Sequence, residues 1–243
     1  MNCTKLCFLV LGFVMCLTSA YAGGSQLVAL DAKLEIISGQ VKLTRVGSTK
    51  TDVITQSVEL YAGDLLETLR ESKATLVYGD GTSMRLKERT LVEVQALSLR
   101  VFKGKTWYKF TKRGSEFKIE TPTLVAGIRG TEFEVAVGSS RRTSLAVFEG
   151  AVAAKSRLSK RGMLVRGGFA THCGPESDMS KPYKFNVDKK RAEWADAEWQ
   201  PQADDNDTYR LFIKQLNLKY EYGADDPRTI EALENYKAAE QKK

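Results

Sequence analysis

The stretch Thr121–Val137, TPTLVAGIRGTEFEVAV, decides the fold because its residues alternate with the period of two that is typical of β-strands. It divides into two strand-like halves joined at a Gly-Ile-Arg-Gly step. Gly127 and Gly130 permit positive φ or a close backbone approach, so the chain can turn or bulge there. The sequence therefore predicts a strand, a bend and a second strand.

The second half of this stretch predicts one inward and one outward face. Phe133, Val135 and Val137 alternate with Glu132 and Glu134, and we expect the apolar set to point into a core. The two glutamates then face solvent, where they could also neutralise a basic residue on a neighbouring strand. Paired carboxylates can hydrolyse glycosides across a cleft, but we interpret this pair as ordinary outward strand residues.

Arg129 lies at the bend, and two interpretations of it stay open. In the first, its five fixed donors bond across the bend with Thr131 in support, so that its role is structural. In the second, Arg129 lies in a groove and binds an anionic group of a partner. We therefore count Arg129 and Thr131 among the candidate partner-binding or ligand-binding residues.

Two more strands are predicted in KGKTWYKFTKRGSEFKIETP (103–122). The first carries Trp107, and we expect Lys109 to face the opposite way. The second ends at Pro122, where a ladder donor is lost. Trp107 and Lys109 complete the set of candidate partner-binding or ligand-binding residues.

Working outward, period two continues through most of residues 27–187. ATLVYGDGTSMRL (74–86) predicts a hairpin, because Asp80-Gly81 suits the left-handed turn conformations that hairpins need. Short strands at spacings of about ten residues indicate an all-β architecture. The sequence predicts an antiparallel β-sandwich or a β-solenoid-like domain and does not separate the two.

The pattern changes to helical near residue 188. Residues 209–220 place apolar side chains on one helix face, and Asp226 with Pro227 predicts the start of another helix, with Ile230 and Leu233 on its apolar side. KKRAEWADAEW (189–199) predicts a third helix. This tail can either pack on the β domain or form a surface for a partner.

The first 22 residues are typical of a secretory signal, with a 12-residue apolar run that is too short to span a bilayer. We therefore divide the chain into a signal peptide (1–22), a β domain (23–187) and a helical C-terminal appendage (188–243). The sequence predicts an exported protein, with the bacterial periplasm favoured and secretion or surface attachment as alternatives. After removal of the signal we do not expect an integral membrane protein.

Charge is distributed unevenly along the chain. The formal net charge is +7, and residues 23–187 hold 26 basic against 17 acidic residues, whereas 188–243 hold 10 against 13. A basic exported module can meet anionic glycans, lipid head groups or acidic protein surfaces. We do not expect nucleic acid as a partner. The excess can also be explained by solvated strand faces alone.

Candidate catalytic and metal-ligating residues are few. His172 is the only histidine, and Cys173, the only cysteine beyond the leader, is its neighbour; on a strand the two point to opposite faces. They do not form a Cys–His pair, and we interpret Cys173 as a small buried apolar residue. We expect no catalytic residue, no metal site and no cofactor, and therefore no enzyme.

Four segments in order resemble the FecR-like domain family: LYAGDLLET (60–68), ATLVYGDGTSMRLKERTLVEV (74–94), IETPTLVAGIRGTEFEVAV (119–137) and LAVFEGAVAA (145–154). The resemblance runs from about Leu34 to Thr171. It implies a β-rich periplasmic domain that binds proteins or ligands and has no enzyme activity. The family's namesakes join such a domain to a cytoplasmic anti-sigma segment, and here we expect only the extracytoplasmic module.

These features lead to two main hypotheses. The first is a sensor-scaffold that contacts an envelope protein partner, with addition of a strand at an open sheet edge as the mode of contact. The second is an envelope binder of anionic glycan or lipid heads, whose binding would be screened by salt. A hydrolase is the least favoured hypothesis, because no nucleophile, base and orienting group can be named.

Overall fold

The structure is a computed structural model that describes residues 28–110, 117–128, 130–195, 199, 218, 223 and 225–240. In this part of the chain lie 17 β-strands and the helices α1, Val187–Ala192, and α2, Pro227–Glu240. The strands are β1 Ala29–Ser38, β2 Val41–Thr44, β3 Thr51–Ile54, β4 Val58–Tyr61, β5 Leu65–Thr68, β6 Lys73–Tyr78, β7 Ser83–Leu86, β8 Leu91–Val94, β9 Ser98–Lys109, β10 Phe117–Glu120, β11 Leu124–Ile128, β12 Glu132–Val137, β13 Thr143–Glu149, β14 Ala151–Ser156, β15 Gly162–Arg166, β16 Phe169–Cys173 and β17 Tyr183–Lys184.

The strands form two sheets that share β9. Sheet A has the spatial order β4-β1-β6-β7-β9-β12-β13-β16-β17. Sheet B has the order β3-β2-β5-β8-β9-β10-β11-β14-β15. Among the described strands, every neighbouring pair is antiparallel except β9 with β10. The chain therefore forms an antiparallel β-sandwich, since the coils of a parallel β-solenoid would pair in parallel.

The long strand β9 passes from one sheet to the other at Gly104. Its first part pairs with β8 and β10 in sheet B, and Gly104–Lys109 pair with β12 in sheet A. Gly104 has φ +99°, a left-handed conformation that favours glycine. The bend at this residue therefore holds the two sheets together through one continuous strand.

The inner faces of both sheets contribute to a single core. Leu34 and Phe133 from sheet A and Val41 and Ile119 from sheet B belong to the same cluster of fully buried side chains. As the sequence pattern predicts, Phe133, Val135 and Val137 point inward. Burial of this apolar set is the main contribution to the stability of the sandwich.

A second, smaller cluster lies on the outer face of sheet A. It consists of the apolar side chains Ile37, Trp107, Phe148, Trp194 and Trp199. Trp194 and Trp199 follow the β region in sequence and pack back onto it. In the described residues, this part of the C-terminal region therefore covers sheet A.

Two local predictions are confirmed. The hairpin at Asp80-Gly81 connects β6 and β7, with Gly81 at φ +82° and its N–H donating to the Tyr78 carbonyl at 2.9 Å. The strand before Pro122 ends at Glu120. Both turns therefore follow the local chemistry of glycine, aspartate and proline.

The helical predictions are partly wrong. The helix predicted over 189–199 begins at Val187 and ends at Ala192, with Asn186 as its N-cap. The helix predicted from Asp226 and Pro227 is present, but Ile230 is exposed, because the buried face begins at Thr229 and continues through Ala232. The signal peptide and, apart from Leu218, the helix predicted over 209–220 lie outside the described residues, and the division at residue 188 stays a prediction.

Candidate functional site

A groove of about 420 Å³ lies between α1 and the outer face of sheet A. Its floor is formed by β7, β9 and β12, and one wall is formed by α1 with the residues that follow it. The lining side chains are Arg85, Trp107, Lys109, Glu132, Asp188, Arg191, Ala192, Trp194 and Ala195. We refer to this feature as the α1 groove and treat it as the candidate functional site.

The strand register explains how the floor of the α1 groove is assembled. Arg85 of β7 lies opposite Trp107 of β9, and Lys109 of β9 lies opposite Glu132 of β12. Trp107 and Lys109 line the same groove, so the prediction that Lys109 faces the opposite way is wrong. The physical reason is the period of a strand, which puts residues two apart on one face.

Glu132 is bound from two directions. Arg191 of α1 donates to its two carboxylate oxygens at 3.1 and 3.0 Å, and the Trp107 indole N–H donates to Oε1 at 3.2 Å. This two-pronged contact is the geometry that an arginine guanidinium favours with a carboxylate. The prediction that Glu132 faces solvent as an ordinary strand residue is therefore wrong, because α1 covers it.

Glu134 is covered even more completely, with an exposed fraction of 1%. Trp194 Nε1 donates to its Oε2 at 2.8 Å, and Lys190 Nζ lies 2.8 Å from its Oε1. A buried carboxylate needs such partners, because removal of an unpaired ion from water costs on the order of several kcal/mol. Here too the solvent-facing prediction is wrong, since a segment 60 residues away supplies the cover.

The end of α1 is held by a second group of charges. Glu193 contacts Lys105 at 3.0 Å and Lys87 at 3.6 Å. Burial opposes ionisation of Glu193, but the hydrogen bond from Lys105 and the nearby lysine charges hold its pKa below its usual value. For Lys87, burial and the charge of Lys105 lower the pKa of the ammonium group.

Arg85 organises the aromatic side of the α1 groove. Its guanidinium carbon lies 4.5 Å from the Trp107 ring centroid and 5.5 Å from that of Trp199. It also donates a short hydrogen bond to the carbonyl of Trp194. Cation–π contacts of this kind fix the position of the indole rings next to the opening.

Lys109 is a cation of the groove that pairs with no carboxylate among the described residues. Its side chain is exposed, and it forms no ion pair with any residue in the described ranges. The carboxylate opposite it, that of Glu132, is already engaged by Arg191 and Trp107. The α1 groove therefore presents an available ammonium group beside an indole ring.

Of the four residues singled out from the sequence, the structure brings Trp107 and Lys109 together. Thr131 is buried and does not line the α1 groove; its carbonyl accepts from the Phe110 N–H at 3.0 Å, and its hydroxyl has no partner among the described residues. Arg129 lies outside the described residues, so the two interpretations of its role stay open.

Sequence reasoning missed the contributions of Arg85, Asp188 and Arg191. A signal was available, since the basic run Lys189–Arg191 complements the two glutamates on β12 in charge. The spacing alone does not show which strand face α1 covers, because the contact joins segments about 60 residues apart.

The α1 groove is lined by charged, aromatic and small apolar side chains. No serine, threonine, cysteine or histidine is among the described side chains that line the α1 groove. Cys173 is fully buried elsewhere, as its interpretation as a small apolar residue predicts. Over the described ranges, no group of three or more histidine, cysteine, aspartate or glutamate residues could hold a metal ion.

We also searched the described part of the chain for membrane-spanning helices. None of its helices combines the length and the apolar character that a bilayer crossing requires.

Comparisons with known proteins give a family match and matches to solved structures. No curated protein sequence matches the chain. Two crystal structures of a candidate anti-sigma factor from Parabacteroides distasonis, at 1.65 and 2.50 Å resolution, are each 14% identical to it with a TM-score of 0.46. Each match covers 54% of this chain and less than two thirds of the other, 64% and 63% respectively.

The family match lies within the sandwich. Residues 64–153 match the family model described as FecR protein. These residues run from the end of the β4–β5 turn to β14, and they include the α1-groove strands β7, β9 and β12. The match supports a regulatory module of the signal-transduction type, which fits a non-catalytic role. The chain therefore contains a FecR-like domain.

Proposed function

We propose that this chain is an exported, non-catalytic binding module that contacts a protein partner in the cell envelope as part of signal transduction. The FecR-like domain over residues 64–153 supports this class of function. Export and a periplasmic location rest on the leader-like residues 1–22, which lie outside the described part of the structure.

The observation that carries the proposal is the Lys109 ammonium in the α1 groove, which lies beside the Trp107 indole and has no ion pair with any described residue. A partner that inserts an acidic side chain can pair with the ammonium, while an adjacent apolar side chain contacts the part of the indole that lines the groove. Tryptophan is a frequent anchor of protein interfaces, and an ammonium group can form a charge-assisted hydrogen bond with a carboxylate of the partner. We therefore place the partner contact over the α1 groove.

The geometry of α1 favours a protein partner over a small substrate. The α1 groove is bordered by side chains that already hold one another, through the Arg191–Glu132 and Lys190–Glu134 pairs. Such a preformed rim costs little ordering on binding, which improves affinity for a partner of matching shape.

Affinity capture from envelope extract tests this proposal. The bait is the protein purified from cells that express the full 1–243 sequence, and capture is compared for the unsubstituted chain, Lys109→Glu and Lys118→Glu. Lys118 is an exposed lysine on β10 of sheet B, away from the α1 groove, so its variant is the matched control. We expect one discrete protein that is retained at high salt, lost with Lys109→Glu and kept with Lys118→Glu.

The opposite results are equally informative. If no protein is retained by the unsubstituted chain, the proposed function is wrong. If only envelope polymer or lipid is captured and is released by salt, the binding is electrostatic and the chain is a binder of anionic glycan or lipid heads. If both lysine variants lose the partner equally, the contact is not in the α1 groove.

Export has its own test. We expect cell fractionation to recover the protein outside the cytoplasm, with Gly23 as its first residue by N-terminal sequencing. Recovery of the intact 243-residue chain in the cytoplasm would contradict the exported role.

A further inference from the structure

Sheet B ends in two strands that each have one neighbour. Among the described residues, β15 pairs with β14 alone, and at the opposite edge β3 pairs with β2 alone. An edge strand of this kind presents unpaired N–H and C=O groups, to which another strand can be added. The two edges of one sheet can therefore be compared directly.

The ladder shows which groups of β15 are available. Ser156 N–H donates to Arg161 O and Gly167 N–H donates to Gly150 O, both at 2.9 Å, at the two ends of the β14–β15 pairing. Hydrogen-bonded pairs alternate along an antiparallel ladder, so Met163 and Val165 direct their backbone groups at β14. The backbone groups of Gly162, Leu164 and Arg166 consequently point to the open side.

Apolar and basic side chains accompany this open backbone. Leu164 on the strand and Leu158 in the preceding turn are 50% and 58% exposed. The hairpin 151–166 contains five basic residues and no acidic one. Of the five, Lys155, Lys160 and Arg166 form no ion pair with any residue in the described ranges. The edge therefore combines hydrogen-bonding capacity, apolar surface and uncompensated positive charge.

The β3 edge lacks this charge. Val53 is exposed to a similar extent, 53%, but Lys50 and Asp52 beside it form an ion pair at 3.0 Å. The Leu69 N–H donates to Gln40 O at 3.0 Å, which by the same alternation directs the Val53 backbone groups outward. The two edges are thus alike in backbone and apolar exposure and differ in charge.

We propose that the β15 edge is a second interaction surface, which binds an extended segment of a protein partner by strand addition. The segment carries acidic residues that meet Lys155 and Arg166 and an apolar residue that covers Leu164. Main-chain hydrogen bonds to Gly162, Leu164 and Arg166 hold it in place. The inference rests on the proposed function as a protein-binding module, but it concerns a surface separate from the α1 groove.

The test measures binding of a synthetic peptide of alternating glutamate and valine, with a lysine–valine peptide of the same length as the control probe. The protein is the full expressed chain, without substitution or as Leu164→Pro or Val53→Pro. Each proline removes one outward N–H and one exposed aliphatic side chain, and neither removes a bond of the described ladders. Circular dichroism and thermal unfolding confirm that each variant is folded.

We expect the acidic peptide to bind the unsubstituted chain and Val53→Pro equally, and Leu164→Pro about ten-fold more weakly, since hydrogen bonds and apolar contact are lost together. If Leu164→Pro does not fold, the double variant Lys155→Glu/Arg166→Glu replaces it. That variant should lose the acidic peptide and bind the lysine–valine peptide instead.

Three results would overturn the inference. They are no binding of the acidic peptide, equal loss in both proline variants, and equal binding of the two peptides. Binding to vesicles that contain phosphatidylglycerol, lost in Leu158→Asp but kept in Leu164→Pro, would assign the hairpin to a membrane surface instead. These outcomes leave the capture experiment unaffected, because that experiment depends on Lys109 in the α1 groove.

Discussion

Glu134 is a carboxylate on the second strand of the Thr121–Val137 stretch, and the fold almost completely removes it from water. Its partners are the Trp194 indole N–H and the Lys190 ammonium, both at 2.8 Å. A buried acceptor lowers the stability of the fold only slightly while it is hydrogen-bonded. Deletion of its donor leaves it unsatisfied and lowers the free energy of unfolding strongly. The contacts of Glu134 therefore help to hold residues 187–194, the α1 segment, on sheet A.

Trp194→Phe should lower the free energy of unfolding by about 1.5–3 kcal/mol, because it removes a donor to a charged, buried acceptor. Trp107→Phe is the matched control, since it deletes a longer hydrogen bond, 3.2 Å, to Glu132, which keeps both contacts with Arg191. Urea unfolding of the two variants measures the difference. Equal losses would show that the Trp194–Glu134 contact contributes little.

At the residue scale, sequence alternation predicted which side chains of β12 point inward but not what happens to the others. Phe133 and Val135 are buried as expected. A period of two assigns residues to faces and contains no information about what lies on the outer face. Glu132 and Glu134 were therefore expected in solvent, although Arg191 and Lys190 cover them.

Among the elements, β9 is the one on which the sandwich depends, because it belongs to both sheets. A Cβ atom added to Gly104 would lie 2.4 Å from Thr90 Cα and 2.3 Å from its Oγ1. The residue is also at φ +99°, so both space and backbone conformation favour glycine. The sequence pattern predicted a strand at Trp107 but not that this strand continues back through Gly104 into the other sheet.

Gly104→Ala should therefore destabilise the protein by about 2–4 kcal/mol, from backbone strain together with overpacking against Thr90. Gly168→Ala provides the control, because Gly168 has φ +83° and no atom within 4 Å of the added Cβ. Gly168→Ala should lower the free energy of unfolding only through backbone strain, by about 1–2 kcal/mol. Thermal unfolding of both variants measures these losses. Similar losses of stability in the two variants would contradict steric crowding at Gly104.

The α1 segment should loosen in acid. The folded-state pKa of Glu193 lies below its usual value, so its contribution to stability is present above the ordinary value of about 4.3 and is lost as pH falls through the folded pKa. Glu193→Gln should therefore be less stable than the unsubstituted protein at pH 7 and nearly equal to it in stronger acid.

Tryptophan fluorescence during urea unfolding, followed from pH 7 to pH 3, measures this difference. A gap between the two proteins that stays constant with pH would show that the Glu193 charge does not hold the α1 segment. Because Glu193 is 41% exposed, the gap should also shrink when salt is added.

At the scale of the whole molecule, the chain divides between β9 and β10. The strands up to β9 supply one side of both sheets, and those from β10 onward supply the other. The sequence predicted an antiparallel sandwich or a solenoid, but not this division, because strand order depends on pairings between distant segments. Local patterns determine strands and turns, whereas the partner of each strand is set by the whole fold.

If this division is correct, fragments 23–113 and 114–243, both without the leader, should associate when they are co-expressed in one compartment. In that complex β9 of the first fragment meets β10 and β12 of the second, so each fragment completes both sheets of the other. Co-purification through a tag on one fragment measures the association. Two fragments that remain apart and each show cooperative unfolding would contradict a shared sandwich.

The second half of the chain also follows a simple rule of construction. Hairpins are laid down alternately on the two sheets: β10–β11 on sheet B, β12–β13 on sheet A, β14–β15 on sheet B and β16–β17 on sheet A. Each new hairpin is built against the one laid down two steps earlier. By this rule, the next hairpin would be placed against β15.

Residues 185–195 depart from that rule, because they turn back across the outer face of sheet A as α1 and the Trp194 segment. Residues 185–195 therefore do not extend sheet B as the next hairpin of the alternation would. The next hairpin would have filled the side of β15 on which no strand lies among the described residues. The cover over part of the outer face of sheet A and the single described neighbour of β15 are consequently two results of one change in the path of the chain.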